Sequence, residues 1–339
     1  MNDSLVSIKR NQKNRWVSTL IKTAVAVFIF TYLFRQISPF DLVNKVREID
    51  LVILCFCIAV LFLLNLSIAI RWKIILRYFG VGLPFLSLWR FTMIGAFFNQ
   101  FLPTGMGGDL FRIGYARTSG VPLLTAITSV IVDRIIGFLG LFILLTIGTP
   151  YLLAIVQSGV VLTTLLILVV LTVVAISVFI RLDMLSRALI KFPFFSKWIC
   201  SLGHLVSLLK RIEQCAADTR TLLRKWPNGY IVLILSLANQ IILGLVIFLI
   251  ARAMGDHLDL FAAVVVFPFV LLLSMIPISL AGWGLREGAM VVVFALIGMP
   301  SDIALGVSIL FGICLLLSAL PGACLWLVGH SHGSVKISD

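Results

Sequence analysis

Two arginines stand beside acids at points where an apolar chain breaks on proline and glycine. Positions 99–112 read NQFLPTGMGGDLFR and positions 277–288 read PISLAGWGLREG. In the first, Gly105, Gly107 and Gly108 lead to Asp109 and Arg112; in the second, Gly282 and Gly284 lead to Arg286 and Glu287. Glycine permits backbone geometry that other residues resist, and an acid at a helix start can cap it. The spacing predicts Asp109 as an N-cap, with Arg112 three residues along. Helix N-termini carry free N–H groups and partial positive charge, and a guanidinium adds a planar fork that matches phosphate oxygens. Arg112 and Arg286, with Gly107, Gly108, Gly282 and Gly284 shaping the breaks, are thus candidate ligands for a phosphate headgroup held between two facing ends. Glycines that merely pack helices and prolines that merely kink them are the competing reading. The paired recurrence favours a site.

Asp133 and Arg134 add two charges inside an apolar run. Adjacent helical residues point about 100° apart, so each is expected to find a partner on another helix. Asp133 is expected to pair with Arg112 or Arg286. Charges at membrane depth cost at least about 2.5 kcal/mol on insertion scales, which makes a functional role the default for such groups. Asp109, Asp133, Arg134 and Glu287 are accordingly assigned to charge balance or proton coupling. Asn65, Asn99, Gln100, Asn239 and Gln240 also interrupt apolar runs, and read as interhelical glue.

The elements that must position these groups are membrane spans. Hydrophobic residues make up 61% of 339 and charged ones 12%, with a mean hydropathy of +1.14, well beyond a soluble domain. A hydrocarbon core about 30 Å thick needs roughly 20 apolar residues per helix. Runs at 16–34, 51–70, 123–151, 153–180, 229–251 and 303–328 qualify, and 85–102 and 260–281 lead into the two breaks. No alternating short strands occur, so the spans are helical. The fold class is an all-α polytopic membrane protein of about six to eight transmembrane helices with two broken or re-entrant hairpins. It forms a single membrane domain over 1–339.

Charge placement sets the topology. The net charge of +13 is concentrated in loops, as the positive-inside rule requires, and so argues for membrane orientation and against nucleic acid. Nine basic residues against three acidic ones between 181 and 225 place that segment, and the basic N-terminus, in the cytoplasm. Arg71, Lys73, Arg77 and Arg90 mark the cytoplasmic end of the second run. Both termini then lie inside, the first break dips in from the cytoplasm and the second from outside. This is an inverted repeat of about 50–150 and 228–329, the arrangement of transporter folds. Segment 181–227 carries Leu202, Leu205, Leu209 and Ile212 at helical spacing. It reads as an amphipathic helix on the anionic inner leaflet or as a cytoplasmic helix packed on other loops.

Sharper chemistry is missing from the sequence. GMGGDLFR lacks the Lys-Ser/Thr ending of a nucleotide P-loop, and GWGLREG lacks the βαβ context of a dinucleotide fingerprint. The six cysteines form no disulfide framework, and no His/Cys/Asp/Glu spacing marks a metal centre, so no metal or cofactor is expected.

The blocks at 99–112 and 277–288, with VDRIIG at 132–137 between them, resemble the transmembrane region of lysylphosphatidylglycerol synthases and the free-standing flippase-like proteins related to it. The resemblance implies movement of a charged-headgroup lipid between leaflets of a prokaryotic cytoplasmic membrane, with Asp109, Arg112, Asp133, Arg134, Arg286 and Glu287 at the matching polar positions. Bifunctional members carry an aminoacyl-transferase domain after this region; none follows here, and the expectation is a transporter and not an enzyme. The expected partners are a membrane phospholipid or a polyprenyl-phosphate lipid, with a homo-oligomer or a lipid-modifying enzyme as possible protein partners. Alternatives are a carrier of polyprenyl-phosphate-linked saccharides, a membrane transferase using Asp109 or Asp133 as base, and a subunit of a lipid- or glycan-modifying enzyme.

Overall fold

The structure is a computed structural model that describes residues 49–102, 107–155, 203–225, 227–275 and 284–331, with single positions at 163 and 174. The expected first span at 16–34, most of the run at 153–180, and the tips of both breaks, with Gly105, Pro277 and Gly282, lie outside the described residues.

Nine helices and no strands occur among the described residues. They are α1 (Leu51–Tyr78), α2 (Phe85–Phe101), α3 (Gly107–Thr118), α4 (Leu123–Ile155), α5 (Gly203–Arg224), α6 (Asn228–Ala253), α7 (Leu260–Ser274), α8 (Leu285–Ala295) and α9 (Ser301–Ser331). Four of them, α1, α4, α6 and α9, are long and apolar enough to cross a membrane. The protein is therefore an all-α polytopic membrane protein.

The helices beside the breaks are shorter than a span. At 1.5 Å per residue, the 17 residues of α2 and the 15 of α7 cover about 25 and 22 Å, and the 12 of α3 and 11 of α8 about 18 and 16 Å. None alone reaches across about 30 Å of hydrocarbon. Element order is thus span, short, short, span, twice over: α1 to α4 and α6 to α9. Matching turns punctuate both sets. Val81 N–H bonds to Leu76 C=O and Asp256 N–H to Ala251 C=O as the leading spans end, each closing on a glycine with positive φ, Gly80 at 78° and Gly255 at 85°. Only glycine takes this left-handed turn without strain, and it satisfies carbonyls that lipid would leave bare. In both sets the first short helix begins five residues after that glycine. Each second short helix likewise closes on a glycine, Gly120 or Gly298, two residues before a proline that opens the next span.

The described residues fall into two compact units: 49–65, 90–112 and 242–331 form one, 66–89 and 113–241 the other. The first holds both broken hairpins. In it, Phe98 of α2 stacks on Phe111 of α3 with ring centroids 3.8 Å apart, and Gly95 lies against Gly108 and Arg112. Pairing of 95 with 112 and of 99 with 108 makes α2 and α3 antiparallel. Helix α9 carries both hairpins. Its Gly322 meets the Met93 backbone of α2 and its Trp326 packs edge-on to Phe98, while Phe311 receives Phe267 of α7 and Arg286 of α8.

The second unit packs α1, α4, α5 and α6 around Ile75, Val132, Ile136, Leu222 and Val232. Here α5 bears on one sequence question, although Leu202 and the side chains of Leu205, Leu209 and Ile212 lie outside the described residues. Its Cys215, Ala216, Thr219 and Leu222 are buried at helical spacing, and it packs on α4. For this half of the segment, the apolar face is covered by protein. Cys215 lies within the helix, where burial, then the negative charge of Asp218, pushes its thiol pKa up.

Candidate functional site

In the first hairpin, the break is clasped by Asn99, whose Oδ1 accepts the Gly108 N–H at 2.8 Å. The cap expected of Asp109 is supplied from the end of α2. Asp109 is instead the third residue of α3 and Arg112 the sixth, so Arg112 sits in the second turn, past the free N–H groups of the helix start. Both are buried; Arg112 is 4% exposed. Its Nη1 donates to Asp109 Oδ1 at 3.3 Å, an i,i+3 pair that keeps the site neutral overall. The Arg112 stem lies over Gly95, where any side chain would displace it.

In the second hairpin, Gly284 is the N-cap with φ of 83°. Having no side chain, it makes only half of a capping box: its N–H donates to Glu287 Oε2 at 2.6 Å. The other oxygen, Oε1, accepts from Arg286 Nε at 3.1 Å and Nη2 at 2.6 Å. Glu287 is completely buried, and the Arg286 guanidinium lies 5.7 Å from the centre of the Phe311 ring. The fork is therefore satisfied on its edge by a carboxylate and on its face by an aromatic ring.

The two hairpins meet α9 at different levels. Arg286 meets α9 at Phe311, and Arg112 sits against Gly95, next to the point where α2 crosses Gly322. Eleven residues of helix place these levels about 16 Å apart along α9. Each hairpin thus forms a station at its own contact level on α9. Each station has its own carboxylate, Asp109 or Glu287.

Asp133 finds a partner the sequence did not indicate. It is 1% exposed, and its Oδ1 accepts from Arg71 Nε at 2.7 Å. The partner expected was Arg112 or Arg286; the partner found is Arg71. Charge counting took Arg71 as the marker of a span's end, but α1 runs on to Tyr78 and Arg71 is buried within the second unit. Its Nη1 donates to Ser236 Oγ at 2.8 Å, and that hydroxyl donates to Ile136 C=O at 2.7 Å. Gly137 faces the guanidinium and Gly140 touches Ser236, so two missing side chains on α4 make the room. Trp72 donates to Ser129 at 3.1 Å and adds a second polar link between α1 and α4. Arg134, one position further along α4, is half-buried. Nothing in the local sequence flags Arg71 or Ser236 except a polar residue inside an apolar helix.

A helical membrane protein with arginine–carboxylate pairs buried in two broken hairpins is the class these features define. Family comparison places it further: residues 19–322 match the family described as the lysylphosphatidylglycerol synthase TM region, and the chain belongs to it. It is also similar to a UPF0104 membrane protein of Methanocaldococcus jannaschii, at 23% identity over 273 residues, which is 77% of this chain and 79% of the relative.

Proposed function

We propose that the protein moves a phosphate-headgroup lipid between the leaflets of a prokaryotic cytoplasmic membrane. The observation that carries this reading is the pair of buried arginines, Arg112 and Arg286, each beside its own carboxylate in a glycine-broken hairpin on α9. A headgroup crossing hydrocarbon loses its water, and a protein that offers replacement partners lowers the barrier. A spacing of about 16 Å covers roughly half of the hydrocarbon thickness, so two stations divide the crossing into shorter steps. At each station the phosphate competes with Asp109 or Glu287 for the guanidinium, and the displaced carboxylate takes the headgroup's own cation or a proton. The closed pairs keep the site neutral when no lipid is bound, which avoids a bare charge in the membrane. The family match supports a lipid substrate, since the family's name is that of a lipid synthase's membrane region.

The test is lipid movement in vesicles reconstituted with purified protein, comparing the unaltered chain with Arg112→Ala, Arg286→Ala and the arginine-to-lysine versions. Loss in both alanine variants, with partial recovery in the lysine ones, is expected, because lysine keeps the charge but not the fork. Equal rates in all five proteins would remove the reading.

A further inference from the structure

Asn239 and Gln240 follow Ser236 by three and four positions on α6, so each neighbours Ser236 on the helix surface and the two amides flank it about 100° apart. Ser236 is where Arg71 of α1 and the Ile136 carbonyl of α4 meet. Asn239 is 6% exposed, and neither its Oδ1 nor the Oε1 of Gln240, both closed off from the surface, has a hydrogen-bond partner among the described residues. Amides inside membrane helices ordinarily hold helices together, which requires a partner on a neighbour. Among the described residues these two meet none through their carbonyls. A buried acceptor left unmet costs stability, and two that flank one buried hydroxyl call for a donor that comes and goes.

The neighbours narrow the kind of donor. Arg71 and Asp133 neutralise one another, and Ser236 is engaged both as donor and as acceptor. The patch therefore offers acceptor oxygens without spare charge, which matches a neutral hydroxyl better than an ammonium group. We propose that Asn239 and Gln240, beside the Arg71–Asp133–Ser236 network, bind the hydroxyls of a glycerol- or sugar-type headgroup. This deepens the proposed lipid movement and rests on it.

Physical chemistry separates this role from a structural one. If the amides are helix glue, Asn239→Leu breaks a contact and lowers the melting temperature. If they await a ligand, the same change removes an unmet acceptor, and the protein melts at the same or a higher temperature. The experiment uses the full chain in phosphatidylcholine vesicles carrying trace fluorescent phosphatidylglycerol or phosphatidic acid with identical acyl chains. The unaltered protein moves the glycerol-bearing lipid faster, and Asn239→Leu/Gln240→Leu reduces that preference about tenfold, one hydrogen bond's worth, without loss of melting temperature. Gln240→Leu alone, at a half-buried position, gives a smaller shift in the same direction and serves where the double variant does not fold. An unchanged preference, or a preference lost together with melting temperature, overturns the assignment. Equal movement of both lipids by the unaltered protein overturns it while leaving the transport reading intact; movement of neither overturns the transport reading itself.

Discussion

The Arg71–Asp133 pair lends itself to a quantitative test. Its Nε to Oδ1 distance is 2.7 Å, both side chains are buried, and Ser236 completes the guanidinium's contacts. Removing one partner of such a pair leaves an uncompensated charge, at about 3–5 kcal/mol. Arg71→Met and Asp133→Leu should each lose that much, a large share of a typical stability of 5–15 kcal/mol. Arg71→Met combined with Asp133→Leu removes both charges and keeps volume, so it should cost far less than the two single changes together. A coupling of about 3 kcal/mol, roughly two decades in the unfolding constant, is the expected result. Ser236→Ala, which loses one bond from Arg71 and one to Ile136, should cost about 1 kcal/mol. The assay is reversible unfolding in mixed micelles, titrated with a denaturing detergent. Single-variant losses that sum to the double within about 0.5 kcal/mol would refute the coupling and with it the three-helix network.

Gly108→Ala should destabilise by about 1–3 kcal/mol, because its new methyl group would meet the Gly95 backbone, whereas Gly114→Ala, with nothing nearby, should be neutral or gain up to about 1 kcal/mol from helix propensity; thermal melting of the two variants compares them directly. Asp218 of α5 has its pKa raised above the ordinary 3.8 by burial, so the folded state holds that proton more tightly and stability falls as pH rises from about 3.8 through the raised value. Asp218→Asn should therefore unfold less readily than the unaltered protein at pH 7, and the gap should narrow as the pH drops toward 4.

What the sequence disclosed was local. The glycine and proline punctuation at 99–112 and 277–288 announces the breaks, because lipid tolerates non-helical backbone only where protein covers it. Four of the spans were legible from apolar length, and the family from three short blocks. Arg71 was not, since its partner lies 62 residues away and only the fold brings α4 to it. Asn99 was taken for general glue, although it closes the first hairpin, because a cap supplied from the preceding helix leaves no mark in the capped one. The packing faces of the spans were equally hidden. A helix that is apolar all round carries no polar stripe to show which side meets protein and which meets lipid. The packing of α9 against both hairpins therefore had to come from the structure.

That position gives α9 the mechanics of a beam. Phe311 and Gly322 are eleven residues apart, a separation within about 20° of three full turns, so both hairpins press on nearly the same side of it. Pro321, one residue before the Gly322 contact, lacks the N–H that would stiffen the helix there. A tilt of about 10° about this fulcrum carries the Phe311 end through roughly 3 Å, the width of a hydrogen bond. Such a tilt would move the Phe311 contact of one hairpin and leave the Gly322 contact of the other, at the pivot, in place.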